Sequence, residues 1–243
     1  MTWGQAVLLV SAATAAGALN AVAGGGTFLT FPSLVFVGVD PIRANATSTV
    51  SLWPGGVSSA FAYRRQLTGA RRDLPWLLGA SVVGGGIGAA LLLLTPAATF
   101  TRLIPFLLLA ATLLFTFNQR LLRLLRGREG GSGPLSLPAS AVALLFVSVY
   151  GGYFGAGVGI LLLALFSLMK FETIHQMNAL KALSNAATNA VALLIFVAAG
   201  AVDWGKGGLM IGGAIAGGYL GAAVAQKLKS EWVRSFVVAT AWG

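Results

Sequence analysis

One apolar stretch near residue 180 carries a row of polar side chains that could bind an anion. Asn178, Lys181 and Asn185 recur at helical spacing, which places them on one face of a helix. Such a face is unfavourable toward lipid, so we expect it to look into the protein. No acidic residue of the apolar stretches could pair with Lys181, and a bound anion would be a natural counterion. The alternative is that the long lysine stem carries its ammonium to the membrane boundary.

A second row of polar side chains lies earlier in the chain, at Asn45 and Ser48 with Thr47 and Ser51 beside them. Their amide and hydroxyl groups could donate to the same anion. The alternative is that they join neighbouring helices by hydrogen bonds, which is their commoner role in membranes. The same stretch contains Trp-Pro-Gly-Gly at 53–56, which predicts a kink that would act either as a hinge or as a fixed bend.

Two glycine-rich breaks, at 24–26 and 155–159, each precede a short apolar stretch. A helix interrupted inside a membrane exposes backbone amides that need protein or water as partners. The short helices predicted to begin near the two breaks would point N-terminal amides, with partial positive charge, at the middle of the protein, where they suit an anion. The alternative is close packing of neighbouring helices against the glycines. The candidate ligands at the breaks are Gly25, Gly26, Thr27, Gly157 and Val158.

These stretches belong to a chain of 243 residues that is 57% hydrophobic and only 9% charged. Soluble domains carry about 25% charged residues, so the outer surface of this protein should face hydrocarbon. The net charge of +10 is better explained by basic cytoplasmic loops than by nucleic-acid binding. With no cysteine, the chain has no disulfide, thiolate metal site or cysteine nucleophile.

The predicted fold class is an all-α integral membrane protein built from about ten apolar segments. Most segments approach the length needed to span. The second and seventh, at about 12 residues, would cover only about 18 Å of a hydrocarbon core about 30 Å thick, which predicts short broken or re-entrant helices. The segments lie at about 3–23, 27–39, 43–63, 74–94, 99–122, 137–153, 158–169, 174–199, 207–225 and 231–243.

An internal duplication relates the two halves of the chain at an offset of 133 residues. The offset carries Gly-Gly-Gly-Ile-Gly-Ala-Ala at 84–90 onto Gly-Gly-Tyr-Leu-Gly-Ala-Ala at 217–223, and it also carries Gly26 onto Gly159. The predicted organisation is a first transmembrane repeat at 1–125, a cytoplasmic linker loop at 126–135 and a second transmembrane repeat at 136–243.

The basic residues predict how the repeats are oriented. They cluster at 64–72, 120–128 and 227–234, which we expect on the cytoplasmic side of a bacterial-type inner membrane. Five segments per half then invert the second repeat relative to the first and leave both termini in the periplasm. Inverted repeats of this kind build many secondary transporters.

Motifs in both halves resemble the TauE/SafE family, the sulfite-exporter-like permeases that are also called 4-toluene sulfonate uptake permeases. In the first half, 17–20 (Gly-Ala-Leu-Asn) precedes 23–26 (Ala-Gly-Gly-Gly), and a short apolar stretch containing Pro32 leads to 44–48 (Ala-Asn-Ala-Thr-Ser). Residues 151–189 resemble the second copy of this pattern. The resemblance covers nearly the whole chain and implies inner-membrane transport of sulfur oxyanions or organosulfonates, such as sulfite or sulfoacetate.

The predicted function is secondary transport of a small anion by alternating access, with the site between the two repeats near the midplane. The expected partners are a small anionic substrate and the lipid bilayer, without nucleic acid, cofactor or metal. Coupling to a proton or a sodium ion and assembly into a homodimer are both left open. The alternative function is an anion channel or a non-transporting membrane scaffold. An intramembrane enzyme is disfavoured, because the chain has no His-Glu-x-x-His, no Gly-x-Ser-x-Gly and no cysteine.

Overall fold

A computed structural model describes residues 1–22, 25–70, 72–126, 136–169, 171 and 173–225, and over these residues the chain is helical, without β-strands. The predicted all-α class is therefore confirmed. A short 3-10 helix at Arg64–Ala70 separates the third and fourth α-helices. The α-helices are α1 (Trp3–Val22), α2 (Thr27–Phe36), α3 (Pro41–Ala62), α4 (Leu74–Leu94), α5 (Ala97–Arg126), α6 (Leu137–Tyr153), α7 (Val158–Ser167), α8 (Ile174–Ala198) and α9 (Trp204–Ala225).

The first nine predicted segments correspond to these helices, and the tenth, 231–243, lies outside the described residues. Helix α5 is 30 residues long and continues past the fifth apolar segment to Arg126, the first residue of the predicted linker. Leucine and arginine alone make up 121–126, and both residue types favour helix. The helix therefore outlasts its apolar segment. The rest of the predicted linker, 127–135, is not among the described residues.

Three helical stretches within the described residues are long and apolar enough to cross a membrane, at Leu74–Leu94, Ala97–Leu114 and Gln176–Ala198. The two short helices expected after the glycine breaks are present as α2 and α7, with 10 residues each. At 1.5 Å per residue each extends about 15 Å, half the thickness of a hydrocarbon core. Helix α2 packs on α1 and α3, and α7 packs on α5, α6 and α8.

Two helix pairs, α1 with α9 and α4 with α6, approach so closely that their backbones touch. A Cβ atom added to Gly217 of α9 would overlap the carbonyl group of Thr14 in α1. In the second pair, Gly84 and Gly88 of α4 lie in the same way against α6, and Gly88 meets the carbonyl oxygen of Val149. Small residues let membrane helices approach at this distance. Close packing therefore accounts for these three glycines.

Aromatic rings fill the apolar core around the Pro41 end of α3. Phe31 of α2 lies edge-to-face between Phe100 of α5 and Phe154, which follows α6, with ring centroids 6.5 Å and 5.4 Å away. Tyr153 meets Phe100 at 5.8 Å in the same geometry. Edge-to-face contacts of this kind are favourable beyond the area they bury. This end of the helix bundle is therefore closed by packed side chains.

Hydrogen bonds also tie the first half of α3 to the loop between α8 and α9 and to the start of α9. Thr47 Oγ1 accepts from the backbone N–H of Asp203 at 2.9 Å, and Ser51 Oγ donates to the Gly207 carbonyl at 3.3 Å. The Asp203 carboxylate in turn accepts from Lys206 Nζ at 2.7 Å. Partial burial by itself raises the pKa of Asp203, but the hydrogen bonds and positive charge of Lys206 outweigh it and hold the pKa below its ordinary value of 3.8. The carboxylate is therefore charged at neutral pH and keeps the ion pair.

Candidate functional site

One cavity lies where the two glycine breaks meet α3 and α8. Its volume of about 60 Å³ is well above the roughly 10–15 Å³ that a cavity needs to hold one water molecule. Gly25 and Thr27 of the first break line it, together with Gly155 and Val158 of the second, and Lys181 lies beside them. The structure thus brings both breaks and the lysine to a single space inside the protein.

The first break is organised by Asn20, which was not among the predicted ligands. Asn20, near the end of α1, accepts through Oδ1 from the backbone N–H groups of Gly25 at 3.0 Å and Gly26 at 2.8 Å. These two amides are therefore satisfied inside the protein. The next amide, that of Thr27, has no acceptor among the described residues, and Thr27 lines the cavity. Because Asn20 uses its oxygen on the backbone, its Nδ2 group is left to donate into the cavity that it lines.

The second break depends on glycines in a left-handed conformation. Gly155 and Gly157 have φ angles of 78° and 74°, which side chains other than glycine rarely tolerate. The resulting turn lets the Val158 N–H bond to the Gly155 carbonyl at 3.2 Å, and Tyr150 Oη donates to the Ala156 carbonyl at 2.6 Å. The N–H groups of Ala156, Gly157 and Gly159 have no acceptor among the described residues, and of these three residues Gly159 lines the cavity.

Helix α8 supplies a charged and polar wall. Lys181 makes no ion pair and no hydrogen bond with any described residue, although it lies inside the protein. One turn further along, Asn185 Oδ1 accepts from Asn189 Nδ2 at 3.1 Å, which leaves the Asn185 Nδ2 group to donate into the cavity. Three side chains of one helix face therefore converge on the same space, and none of them is acidic.

The polar residues predicted as ligands on α3, Asn45 and Ser48, do not line the cavity but contact neighbouring helices. Asn45 donates from Nδ2 to the Tyr153 carbonyl at 3.0 Å, and Ser48 Oγ lies 2.6 Å from Thr30 Oγ1 of α2. Both side chains are buried and join neighbouring helices, which was the alternative given for them. Five predicted ligands line the cavity, namely Gly25, Thr27, Val158, Lys181 and Asn185, and five do not, namely Gly26, Asn45, Ser48, Gly157 and Asn178.

Several lining residues were not among the predicted ligands. Asn20 could have been found from its place just before a glycine run, where an amide side chain can bond to the turning backbone. Trp53 and Tyr63 gave no such signal, because an aromatic residue in an apolar segment is equally suited to lipid or to a core. The further polar lining residues are Thr49, Ser59 and Asn189.

The charged group among the described lining residues is positive, the ammonium of Lys181. Among the described residues, the cavity lining has one ammonium, several amide and hydroxyl donors and no carboxylate. No group of three or more His, Asp or Glu side chains that could hold a metal ion occurs among the described residues. An ammonium, two asparagine NH₂ groups and two unpaired backbone amides near helix N-termini form a donor set that suits a small anion.

Comparisons with known proteins agree with a transporter. The family profile of the sulfite exporter TauE/SafE matches residues 9–241. A probable membrane transporter protein of Haemophilus influenzae is 30% identical over 222 residues, covering 90% of this chain and 85% of that protein. The probable membrane transporter protein YfcA of Escherichia coli K12 is 28% identical over 237 residues, covering 95% of this chain and 84% of YfcA. No solved structure matches the chain significantly.

Proposed function

Since this chain belongs to the sulfite exporter TauE/SafE family and is a membrane transporter, we propose that its substrate is a small anion, either a sulfur oxyanion or an organosulfonate such as sulfite or sulfoacetate. We propose further that it is a secondary transporter working by alternating access, as a multi-pass protein of a bacterial-type inner membrane. The observation that carries the choice of substrate is the cavity between the two glycine breaks.

The donors of that cavity suit an oxyanion. Lys181 would supply the counter-charge, and a charged partner strengthens a hydrogen bond to roughly 1.5–3 kcal/mol. Asn20 and Asn185 would donate from their Nδ2 groups, and Thr27 and Gly159 from their backbone amides. Oxyanions have several acceptor oxygens and can use such donors together. A cation would find no carboxylate among the described residues of the lining.

The shape of the cavity supports alternating access. Its lining continues along α3 as far as Ser59 and Tyr63. Toward the Pro41 end of α3, the aromatic rings around Phe31 fill the space. Thr47 is hydrogen-bonded to the backbone of Asp203 at the same end. A site that reaches one end of the protein while the other end is closed fits one state of such a cycle. The opposite state would require the aromatic cluster to open.

The packing also supports the inverted repeats that we propose. The offset of the duplication exchanges α1 with α6, α3 with α8 and α4 with α9. Under this exchange the contact of α1 with α9 becomes that of α6 with α4, and both contacts are extensive. The contact of α3 with α8 maps onto itself. The proposed site therefore lies close to the approximate two-fold axis between the repeats.

Uptake into proteoliposomes tests the proposed function. Purified protein in lipid vesicles should take up labelled sulfite with saturation, and unlabelled sulfite or sulfoacetate outside should compete. Preloading the vesicles with unlabelled sulfite should accelerate entry of the label, because a carrier returns faster with substrate bound. Vesicles without protein give the background rate.

Each of the other outcomes has a distinct meaning. Flux that rises linearly with concentration and shows no acceleration by preloading would indicate an anion channel. Binding of sulfite without any flux would indicate a non-transporting scaffold. If neither sulfite nor an organosulfonate is bound or moved, the proposed substrate class is wrong.

A further inference from the structure

Asn185 and Asn189 lie one turn apart on α8, and both line the cavity. Asn189 Nδ2 donates to Asn185 Oδ1 at 3.1 Å. This hydrogen bond determines which end of the Asn185 amide is left for a ligand. Because the oxygen is occupied, the NH₂ group is the end that remains for a bound molecule.

An asparagine that is not held in this way could meet an anion with either end of its amide. A rotation of the amide by half a turn exchanges the NH₂ group for the carbonyl oxygen. The NH₂ group attracts an oxyanion, whereas the carbonyl oxygen, with its partial negative charge, repels it. A partner that fixes the orientation therefore decides whether Asn185 stabilises a bound anion.

Asn20, the other lining asparagine to which we assign a donor, is held in the same sense. Its Oδ1 accepts from the backbone N–H groups of Gly25 at 3.0 Å and Gly26 at 2.8 Å, which leaves Nδ2 for the cavity. The backbone holds the amide of Asn20, whereas the side chain of Asn189 holds that of Asn185. In both cases the carbonyl oxygen is bonded to protein.

The spacing along α8 favours an indirect role for Asn189. Lys181, Asn185 and Asn189 follow one another at intervals of four residues on one helix face. At 1.5 Å per residue, Asn185 is about 6 Å along the axis from Lys181, and Asn189 is about 12 Å away. An anion held by the ammonium is therefore closer to Asn185, and Asn189 lies a full turn beyond it.

The amide pair is not repeated at the equivalent positions of the first half. At the offset of 133 residues, Asn185 corresponds to Leu52 and Asn189 to Gly56, and both of these residues also line the cavity. Neither leucine nor glycine has a side chain that donates a hydrogen bond. The pair therefore belongs to α8 alone, the helix that also contributes Lys181.

We propose that Asn189 is a positioning residue, which holds the amide of Asn185 with its NH₂ group toward the bound anion. This inference rests on the proposed function, since it assumes that an anion binds beside Lys181. It adds a residue that sets the strength of binding by acting through a ligand.

A double-mutant cycle, measured by calorimetric titration of the purified protein with sulfite, tests the proposal. Asn185→Ala should weaken binding about 10- to 150-fold, because a hydrogen bond to a charged group is lost. Asn189→Ala should weaken it about 2- to 6-fold, because the binding orientation then competes with a second amide orientation and up to three rotamers. Added to Asn185→Ala, the change Asn189→Ala should have no further effect.

Asn189→Asp is a second test, which reverses the hydrogen bond and replaces Asn189→Ala if that variant does not fold. A carboxylate only accepts, so it should bind the Asn185 NH₂ group and turn Asn185 Oδ1 toward the anion. Its charge also repels the anion, but that effect persists when Asn185 is replaced by alanine. Asn189→Asp should therefore weaken sulfite binding more in the parent than in the Asn185→Ala protein.

Thr101→Ala is the matched control. The Thr101 hydroxyl also bonds one turn along its own helix, to the Ala97 carbonyl at 2.8 Å, and Thr101 does not line the cavity. Sulfite affinity in this variant should equal that of the parent. Circular dichroism checks that each variant is folded.

A folded Asn189→Ala protein that binds sulfite as tightly as the parent would overturn this inference alone. Equal losses from Asn189→Ala, or from Asn189→Asp, with and without Asn185→Ala would also overturn it, since the effect would then not pass through Asn185. If the parent binds neither sulfite nor an organosulfonate, the proposed function fails and the inference fails with it.

Discussion

Lys181 is the residue on which the charge of the cavity depends. A lysine inside an apolar segment is conspicuous in any sequence, because an ammonium without a partner is costly there. The structure adds that no described residue bonds to it and that it lines the same cavity as two helix N-termini. This arrangement favours a role toward a bound anion over an ammonium carried to the membrane boundary.

Replacing Lys181 by glutamine should weaken anion binding by roughly 10- to 150-fold, because a charge-assisted hydrogen bond of about 1.5–3 kcal/mol is lost. Calorimetric titration with sulfite measures the change, and circular dichroism checks that the fold is kept. Lys206→Gln is the matched control, since Lys206 pairs with Asp203 away from the cavity. A folded Lys181→Gln protein that binds sulfite as tightly as the parent would show that this lysine is structural.

Of the ten ligands predicted from residue types and spacing, five line the cavity. Lys181 and Asn185 stood out because they are polar at helical spacing in an apolar segment. Asn45 and Ser48 shared that signal, yet they bond to neighbouring helices instead. A sequence shows that a side chain must avoid lipid, but it does not show which inner surface the side chain will meet. That choice depends on the rotation of α3 about its axis, which tertiary packing sets.

At the scale of elements, the two short helices were the most predictable part of the fold. Glycine runs followed by about a dozen apolar residues cannot span a membrane, and α2 and α7 appear where this reasoning placed them. The amides at their starts were less predictable. Asn20 accepts from the two amides just before α2, those of Gly25 and Gly26, so fewer are left for a ligand than the glycine pattern alone suggested. Whether a side chain of the preceding helix can accept from these amides depends on how sharply the chain turns at the break.

Asn20→Leu should destabilise the protein, because the N–H groups of Gly25 and Gly26 lose their acceptor. Each unsatisfied buried donor costs about 1–3 kcal/mol. Thermal unfolding in detergent should show a clear drop in the midpoint temperature. Gln5→Leu removes an exposed amide acceptor from Thr2 and should change the midpoint little.

Asn20→Asp separates the two roles of this side chain. It keeps an oxygen for the two amides but places a negative charge in the cavity and removes the Nδ2 donor. Stability should stay closer to that of the parent than in Asn20→Leu, while sulfite affinity falls by at least tenfold. Equal stability of Asn20→Leu and the parent would contradict the role assigned to the break.

At the scale of the whole molecule, the sequence predicted the all-α class and the duplication, whereas the helix partners came only from the structure. An offset of 133 residues shows which segments are equivalent but not which ones touch. The close contacts of α1 with α9 and of α4 with α6 join segments from different repeats. These contacts form where a glycine, having no side chain, lets the backbone of the facing helix come close, as at Gly217 and Gly88.

The predicted orientation can be tested with single cysteines, because the chain has none of its own. Thr2→Cys and Thr99→Cys lie at ends that we expect in the periplasm, and Gln66→Cys lies in the predicted cytoplasmic loop; all three side chains are exposed. A membrane-impermeant maleimide added to spheroplasts should label the first two. Gln66→Cys should react only after the membrane is permeabilised, and labelling of the opposite set would reverse the predicted topology.

The backbone contacts at Gly217 and Gly88 limit how the protein can move. Where a glycine Cα lies against a carbonyl of the facing helix, neither helix can slide or roll without a clash. Helices α1 and α9 should therefore move as one rigid body, and α4 and α6 as another. Each body contains a helix from both halves of the chain. Each moving unit of the proposed transport cycle would then combine one helix from each predicted repeat, so the repeats themselves would not be the moving units.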